Sequence, residues 1–183
     1  MSSPSTSYTL SEHASKALLA QHGVPLAREE LVSTPEQAAE AAASLGWPVV
    51  MKLCGDAIAH KTERDLVRLG LADAEAVVAA GEELLAKRRP DDREVGLLVA
   101  EHVRGRRELI VGIVKDLQFG PCVMLGLGGI LAEALSDVVF AACPLSEAEA
   151  RAMSRRLAAH HVVTEPFRGE PAVDEAALTG ILL

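Results

Sequence analysis

The chain has 183 residues, 49% of them hydrophobic and 24% charged, with a formal net charge of −8. That length suits one domain or one enzyme subunit with a sizeable core, and the apolar content excludes a disordered chain. The acidic balance nearly excludes general DNA or RNA binding, which rests on phosphate neutralisation by Lys and Arg.

Aromatic residues make up only 3%, so Ala, Val and Leu must build the core. The first residues, MSSPSTSYTL, lack the basic and apolar parts of a secretory signal and predict a disordered tail over 1–9. No run reaches the roughly 18 apolar residues needed to span a bilayer, so the expectation is a soluble, cytoplasmic protein with no membrane association. The three cysteines, Cys54, Cys122 and Cys143, form no CxxC pair and sit in apolar stretches, which predicts small buried hydrophobes rather than metal ligands.

In chain order, Thr9 and Glu12 have the spacing of a capping box, followed by a helix that Gly23 and Pro25 stop. A short extended run, Leu26–Val32, leads to Thr34-Pro35-Glu36, an N-cap with Pro at the first helical position. That Ala-rich helix ends at Gly46. Trp47–Cys54 reads as a buried strand interrupted by Lys52, Gly55–Asp65 as a polar loop and Leu66–Leu71 as a second strand. Asp73 opens a helix reaching about Arg89. Glu94–Val103 and Arg106–Val114 read as a hairpin around Arg104-Gly105. Further strands are expected at Pro121–Leu125 and Val138–Ala142, then a helix over Ser146–His161 and a last one from about Asp174. This mixture predicts an α+β chain with more than one sheet, divided near Arg89–Arg93 into an αβ lobe (10–93) and a strand-rich lobe (94–183).

Several residues could carry chemistry. Lys52, alone in VVMKLC, must reach solvent from an edge strand, pair, or meet an anionic ligand such as a phosphate. His60, in His60-Lys61-Thr62, is either a surface histidine or an imidazole able to accept a phosphoryl group. Gly126, Gly128 and Gly129 follow a strand, but position 131 is Leu, so the dinucleotide fingerprint fails; the glycines make either a plain turn or an approach for an anion. The acids Glu101, Glu108, Asp116, Glu133 and Asp137 are solvated side chains on the simplest reading, with Glu108 in a hairpin salt bridge beside Arg107. No zinc pattern and no serine-hydrolase elbow occurs.

The segments LSEHASKALLAQHGVP, GWPVVMKL, HKTE, LLVAEHVRGRRELIVGIVKDLQFGP, GLGGILAE and PFRGEPAVD together resemble, in order, the ATP-grasp subunit or domain of ADP-forming acyl-CoA synthetases, relatives of succinyl-CoA synthetase. The resemblance implies an α+β ATP-grasp fold in which two lobes hold ATP. It also implies the reversible reaction of acyl-CoA, ADP and phosphate to carboxylate, CoA and ATP, through phosphohistidines. By the same resemblance Lys52 contacts nucleotide phosphates and His60 relays the phosphoryl group. Glu101 and Val103 border the adenine hinge, Glu108 lies near ribose or phosphates, and Gly128 and Gly129 face the transferred group. The implied cofactors are ATP or ADP with Mg²⁺. The implied partner is a CoA-binding subunit or domain carrying the first phosphohistidine, in a hetero- or homo-oligomer.

Two departures from the family pattern bear on activity. Where the family has a Gly-Gly pair after its H-K-[ST]-[DE] run, this chain has Asp65 and Leu66, which predicts lost backbone access and an added repelling charge. The family's later acidic-Asn-Pro strand, which helps bind magnesium, is not in this sequence, so the metal ligands are unknown and an exposed sheet edge or apolar face is expected. The alternative reading is a non-catalytic ATP-grasp-like module that binds nucleotide or serves as a structural partner. The acyl group and the choice of ADP or GDP are not readable from these residues.

Overall fold

A computed structural model describes residues 10–58, 61–105, 107–129, 136–167 and 169–183. The expected tail over 1–9 and His60 lie outside them. The chain divides between Val103 and Arg104 into two compact units, later than the expected division at 93/94.

The first unit begins with helix α1 (Glu12–Gln21), capped by Ser11, whose side chain accepts from the Ala14 N–H. Strand β1 (Glu29–Val32) follows, then α2 (Pro35–Leu45), with the expected Thr34 cap and Pro35 in its first turn. Strands β2 (Val49–Cys54) and β3 (Val67–Leu71), helix α3 (Ala74–Ala86) and strand β4 (Gly96–Glu101) complete it. The strands form an antiparallel sheet in the order β1-β4-β2-β3. This corrects the expected hairpin around Arg104-Gly105: β4 pairs with β1 and β2, and so belongs to the first unit. The reason is its composition, since Leu97, Leu98, Val99 and Ala100 are all buried and suit an interior strand rather than a half-exposed hairpin arm.

Side chains alternate across a strand. Val49, Met51 and Leu53 on β2, with Leu97 and Val99 on β4, join the core that α2 and α3 close with Ala38, Ala41, Ala42, Val77 and Leu84. Lys52 therefore points to the other face. Its strand is interior, flanked by β4 and β3, which removes the edge-strand reading.

The loop between β2 and β3 departs from expectation in a useful way. Leu66 is buried in the core, and its carbonyl accepts from the Leu53 N–H at 3.1 Å. Asp65 keeps the left-handed backbone of a glycine position, φ 54°, which Asp tolerates better than most residues. Its carboxylate is paired with Lys87 and with Arg68, and these cations hold its pKa down to about 2. The feared repelling charge is thus neutralised within the unit. Next to it, Arg64 grips the buried Asp92 through two parallel bonds of 2.8 Å each, a fork-to-fork arrangement that fixes the loop to the turn before β4.

The second unit is a three-stranded antiparallel meander, β5 (Leu109–Asp116), β6 (Gly120–Leu127) and β7 (Val138–Ala142). The Asp116 carboxylate accepts from the N–H groups of Gln118 and Phe119 in the β5–β6 turn. Helices α4 (Glu147–Arg156), α5 (His160–Thr164) and α6 (Glu175–Leu182) pack on one face around Val123, Leu125, Met153, Leu157, Val163 and Leu178. The single helix expected over 146–161 is broken at Leu157, where ψ is 142°. The break is held by Asp137, whose carboxylate accepts from the N–H groups of Ala158 and Ala159 at 2.8 Å each. The opposite face of the sheet leaves Ile110, Val114, Val138 and Phe140 exposed. Cys54 and Cys122 are buried and free; Cys143 is half-buried and free.

The Asp65 geometry gives a stability prediction. Asp65→Ala and Asp65→Gly lose the same two ion pairs, but only alanine carries the left-handed strain of about 1 kcal/mol. Urea unfolding should therefore place the glycine variant about 1 kcal/mol above the alanine variant; equal midpoints would show that the backbone strain is not there.

Candidate functional site

A cation on the polar-facing side of an apolar strand has to be compensated. Lys52 finds its anion on α1: its Nζ donates to Glu12 Oε1 at 2.6 Å. The other oxygen, Oε2, accepts from Lys61 Nζ, also at 2.6 Å. Lys16, one turn along α1, donates to Oε1 at 3.0 Å and to Glu29 Oε2 at 2.5 Å. His13 Nδ1 lies 3.1 Å from the other Glu29 oxygen. Among these groups three ammoniums face two carboxylates.

The electrostatics follow. Burial by itself pushes the Glu12 carboxyl up, but the hydrogen bonds from Lys52, Lys61 and Lys16 outweigh it and bring the group to about 2. Lys16 is likewise penalised by burial yet held above its ordinary value by Glu29 and Glu12. Helix α1 has no fully buried residue, so this ionic cluster is a main part of its hold on the sheet.

Glu101 closes β4. Its carboxylate accepts from the backbone N–H of Arg28 at 3.0 Å and from its Nε at 3.1 Å, tying the end of β4 to the entry of β1. Those bonds, the backbone one first, lower its pKa. The Glu101 carbonyl accepts from the Val103 N–H at 3.1 Å, and the Val103 side chain is exposed.

In the second unit Glu108, Gly128 and Gly129 come together. The Gly128 N–H donates to the Glu108 carbonyl at 2.7 Å. A Cβ on Gly128 would lie 3.1 Å from that same backbone, a tight contact that favours glycine here. Gly129 has φ 72°, and a Cβ there would lie 3.5 Å from Glu108 Oε2. A pocket of about 90 Å³ adjoins them, lined by Glu108, Leu127, Gly128 and Val163 among others, too small to enclose a nucleotide alone. The expected salt bridge beside Arg107 is corrected: Arg107 donates instead to the carbonyls of Phe167, Glu170 and Pro171.

The structure thus brings Lys52 into a cluster, and it joins Glu108 to Gly128 and Gly129. His60, the expected relay, lies outside the described residues. Residue-by-residue reading missed Glu12 as the partner of Lys52, and Lys16 as a further donor to Glu12. Their signal was present in the run S-E-H-A-S-K, read only as a helix start. Among the described residues no three His, Cys, Asp or Glu side chains are grouped to hold a metal, and no helix is long and apolar enough to cross a membrane.

A family model described as an ATP-grasp domain matches residues 3–183. The chain belongs to the ATP-grasp family. It is 36% identical over 175 residues to the beta subunit of acetate–CoA ligase [ADP-forming] II of Pyrococcus furiosus, covering 94% of this chain and 74% of that subunit. The solved dinucleotide forming acetyl-coenzyme A synthetase 1 of Ca. Korarchaeum cryptofilum, in complex with coenzyme A, Ca-AMPCP and HgCl+, superimposes with a TM-score of 0.88 at 33% identity, covering 97% of this chain and 78% of that one. The same synthetase with coenzyme A and Mg-AMPPCP, its phosphohistidine segment pointing towards the nucleotide binding site, gives a TM-score of 0.79 at 33% identity, with 93% and 74% covered. The expected ATP-grasp fold is therefore shown.

The depressed Glu12 pKa sets a pH dependence. A carboxyl lowered from 4.5 to about 2 contributes stability that is full above about pH 4.5 and is lost as pH falls toward 2. Glu12→Gln should remove that part of the acid dependence, so unfolding free energies of parent and variant should converge on acidification. A constant difference from pH 7 to pH 3 would contradict the pairing.

Proposed function

We propose that this chain is the nucleotide-binding subunit of an ADP-forming acyl-CoA synthetase, converting acyl-CoA, ADP and phosphate to carboxylate, CoA and ATP with a CoA-binding partner. The observation that carries the reading is the pair Lys52 and Lys61, held 2.6 Å from the two oxygens of one carboxylate in a chain of the ATP-grasp family. Two ammoniums spaced to bracket a planar anion suit the oxygens of a phosphate. The activity of the similar ligase subunit and the nucleotide analogues bound in the similar solved structures support the reaction class.

In this reading, phosphate adds to the thioester carbonyl and the CoA thiolate leaves, giving an acyl phosphate. A histidine of the partner takes the phosphoryl group and releases the carboxylate, and His60 relays that group to the terminal oxygen of ADP. Lys52 offsets the phosphate charge as the group moves, and positioning with charge compensation does most of the work. Glu101 and Val103 border the adenine and present backbone groups to it; the Val103 N–H closes a tight turn onto the Glu101 carbonyl and would have to leave it to reach the base. Glu108 lies near the ribose or phosphates, and the Gly128–Gly129 backbone approaches the transferred group. Mg²⁺ accompanies the nucleotide, but the described residues form no metal site, so no residue is assigned to it. The compartment is cytoplasmic, and the exposed face of Ile110, Val114, Val138 and Phe140 suits burial in an oligomer.

Calorimetric titration with ADP tests the reading. Lys52→Met should weaken ADP at least about tenfold, the loss of one charge-assisted phosphate contact, while the protein still unfolds in one cooperative thermal transition at a somewhat lower temperature. An unchanged affinity, or no ADP binding by the parent at millimolar concentration, would overturn it.

A further inference from the structure

The carboxylate of Glu12 stands in a position that an anion from outside could also take. It is bridged by two ammoniums from different elements, Lys52 on β2 and Lys61 in the loop after it, one on each oxygen. Both lysines remain partly accessible, with side-chain exposures of 26% and 14%. The carboxylate itself has 24% of its side chain exposed. This is a solvated edge rather than a sealed interior, so exchange of one anion for another does not require opening a core.

Glu12 also has somewhere to go. Lys16 lies four residues along the same helix and already donates to its Oε1 at 3.0 Å. Lys16 is in turn anchored to Glu29, whose side chain is only 8% exposed. A carboxylate that releases Lys52 and Lys61 therefore keeps one charged partner and stays at the solvent edge. The two lysines released would be like charges brought close together, which is unfavourable until a phosphate bridges them. A phosphate group offers more oxygens and more charge than the carboxylate it replaces.

We propose that Glu12 is an internal stand-in for phosphate: it holds Lys52 and Lys61 together while the nucleotide is absent and is exchanged for a phosphate group of the nucleotide when it binds. The inference rests on the nucleotide-binding reading above and adds to it a competition built into the chain. It also ties the first turn of α1 to nucleotide occupancy. Because α1 buries no residue fully, losing two of the bonds to Glu12 loosens that turn.

Calorimetry with ADP on the full chain, parent against Glu12→Gln, tests the exchange. Removal of the competing charge should tighten ADP by about tenfold, the equivalent of one charged hydrogen bond no longer displaced. Inorganic pyrophosphate should follow the same order as ADP. Hydrogen exchange on the unaltered chain gives an independent reading that does not depend on how the variant folds. ADP should speed exchange of the amides at residues 14–16 while slowing exchange around Lys52. Affinity in Glu12→Gln equal to or weaker than the parent's, or α1 amides that slow on ADP binding, would overturn the exchange and make Glu12 a fixed support for the lysines. If neither protein binds ADP or pyrophosphate, the nucleotide reading falls first and this inference falls with it.

Discussion

A lysine in the middle of an apolar strand has to find an anion, and in this chain Lys52 finds the carboxylate of Glu12. Everything around that contact is arranged by the same demand. Strand β2 is interior, so its ammonium cannot escape sideways past an edge; helix α1 brings the carboxylate over the sheet; Lys61 and Lys16 arrive on the remaining lone pairs. A purely hydrophobic replacement would satisfy the strand equally well and with less desolvation. What the hydrophobic alternative lacks is an anion position at the surface of the unit, and that is the property a phosphate-binding protein uses.

The second unit meets a different constraint. Among the described residues its sheet has three strands with helices packed on one face. On that side Arg107 reaches three carbonyls of the 167–171 segment and fixes it beside β5. On the other side Ile110, Val114, Val138 and Phe140 stay exposed. The close contact of Gly128 with the Glu108 backbone belongs to the start of β5 and the end of β6, where these strands deliver backbone groups rather than side chains.

Much of this was legible in the sequence where the signal is local. Thr34-Pro35 marked the start of α2, Val138–Ala142 matched β7 at both ends, and the buried strand read over Trp47–Cys54 contains β2. Long-range pairing was not legible. The apolar run of β4 reads equally well as a hairpin arm or as an interior strand, because periodicity says nothing about the partner. The break at Leu157 depends on Asp137, far away in sequence. For the candidate site, Lys52 stood out by its surroundings, but Glu12 did not, since an acid at a helix start already has a local explanation. The loop after Lys61 was legible only in part for a related reason. Asp65 and Leu66 looked damaging as replacements for glycine, yet the charge of one is met by Lys87 and Arg68 and the side chain of the other fills the core.

The claim that Lys52 and Lys61 form one anion position, open to Glu12 or to a phosphate, is tested most directly by a crystal structure of the chain with ADP. The account predicts a phosphate oxygen within about 3 Å of both Nζ atoms, with the Glu12 carboxylate turned to Lys16 alone. A structure in which ADP is bound while Glu12 still bridges Lys52 and Lys61 would contradict it.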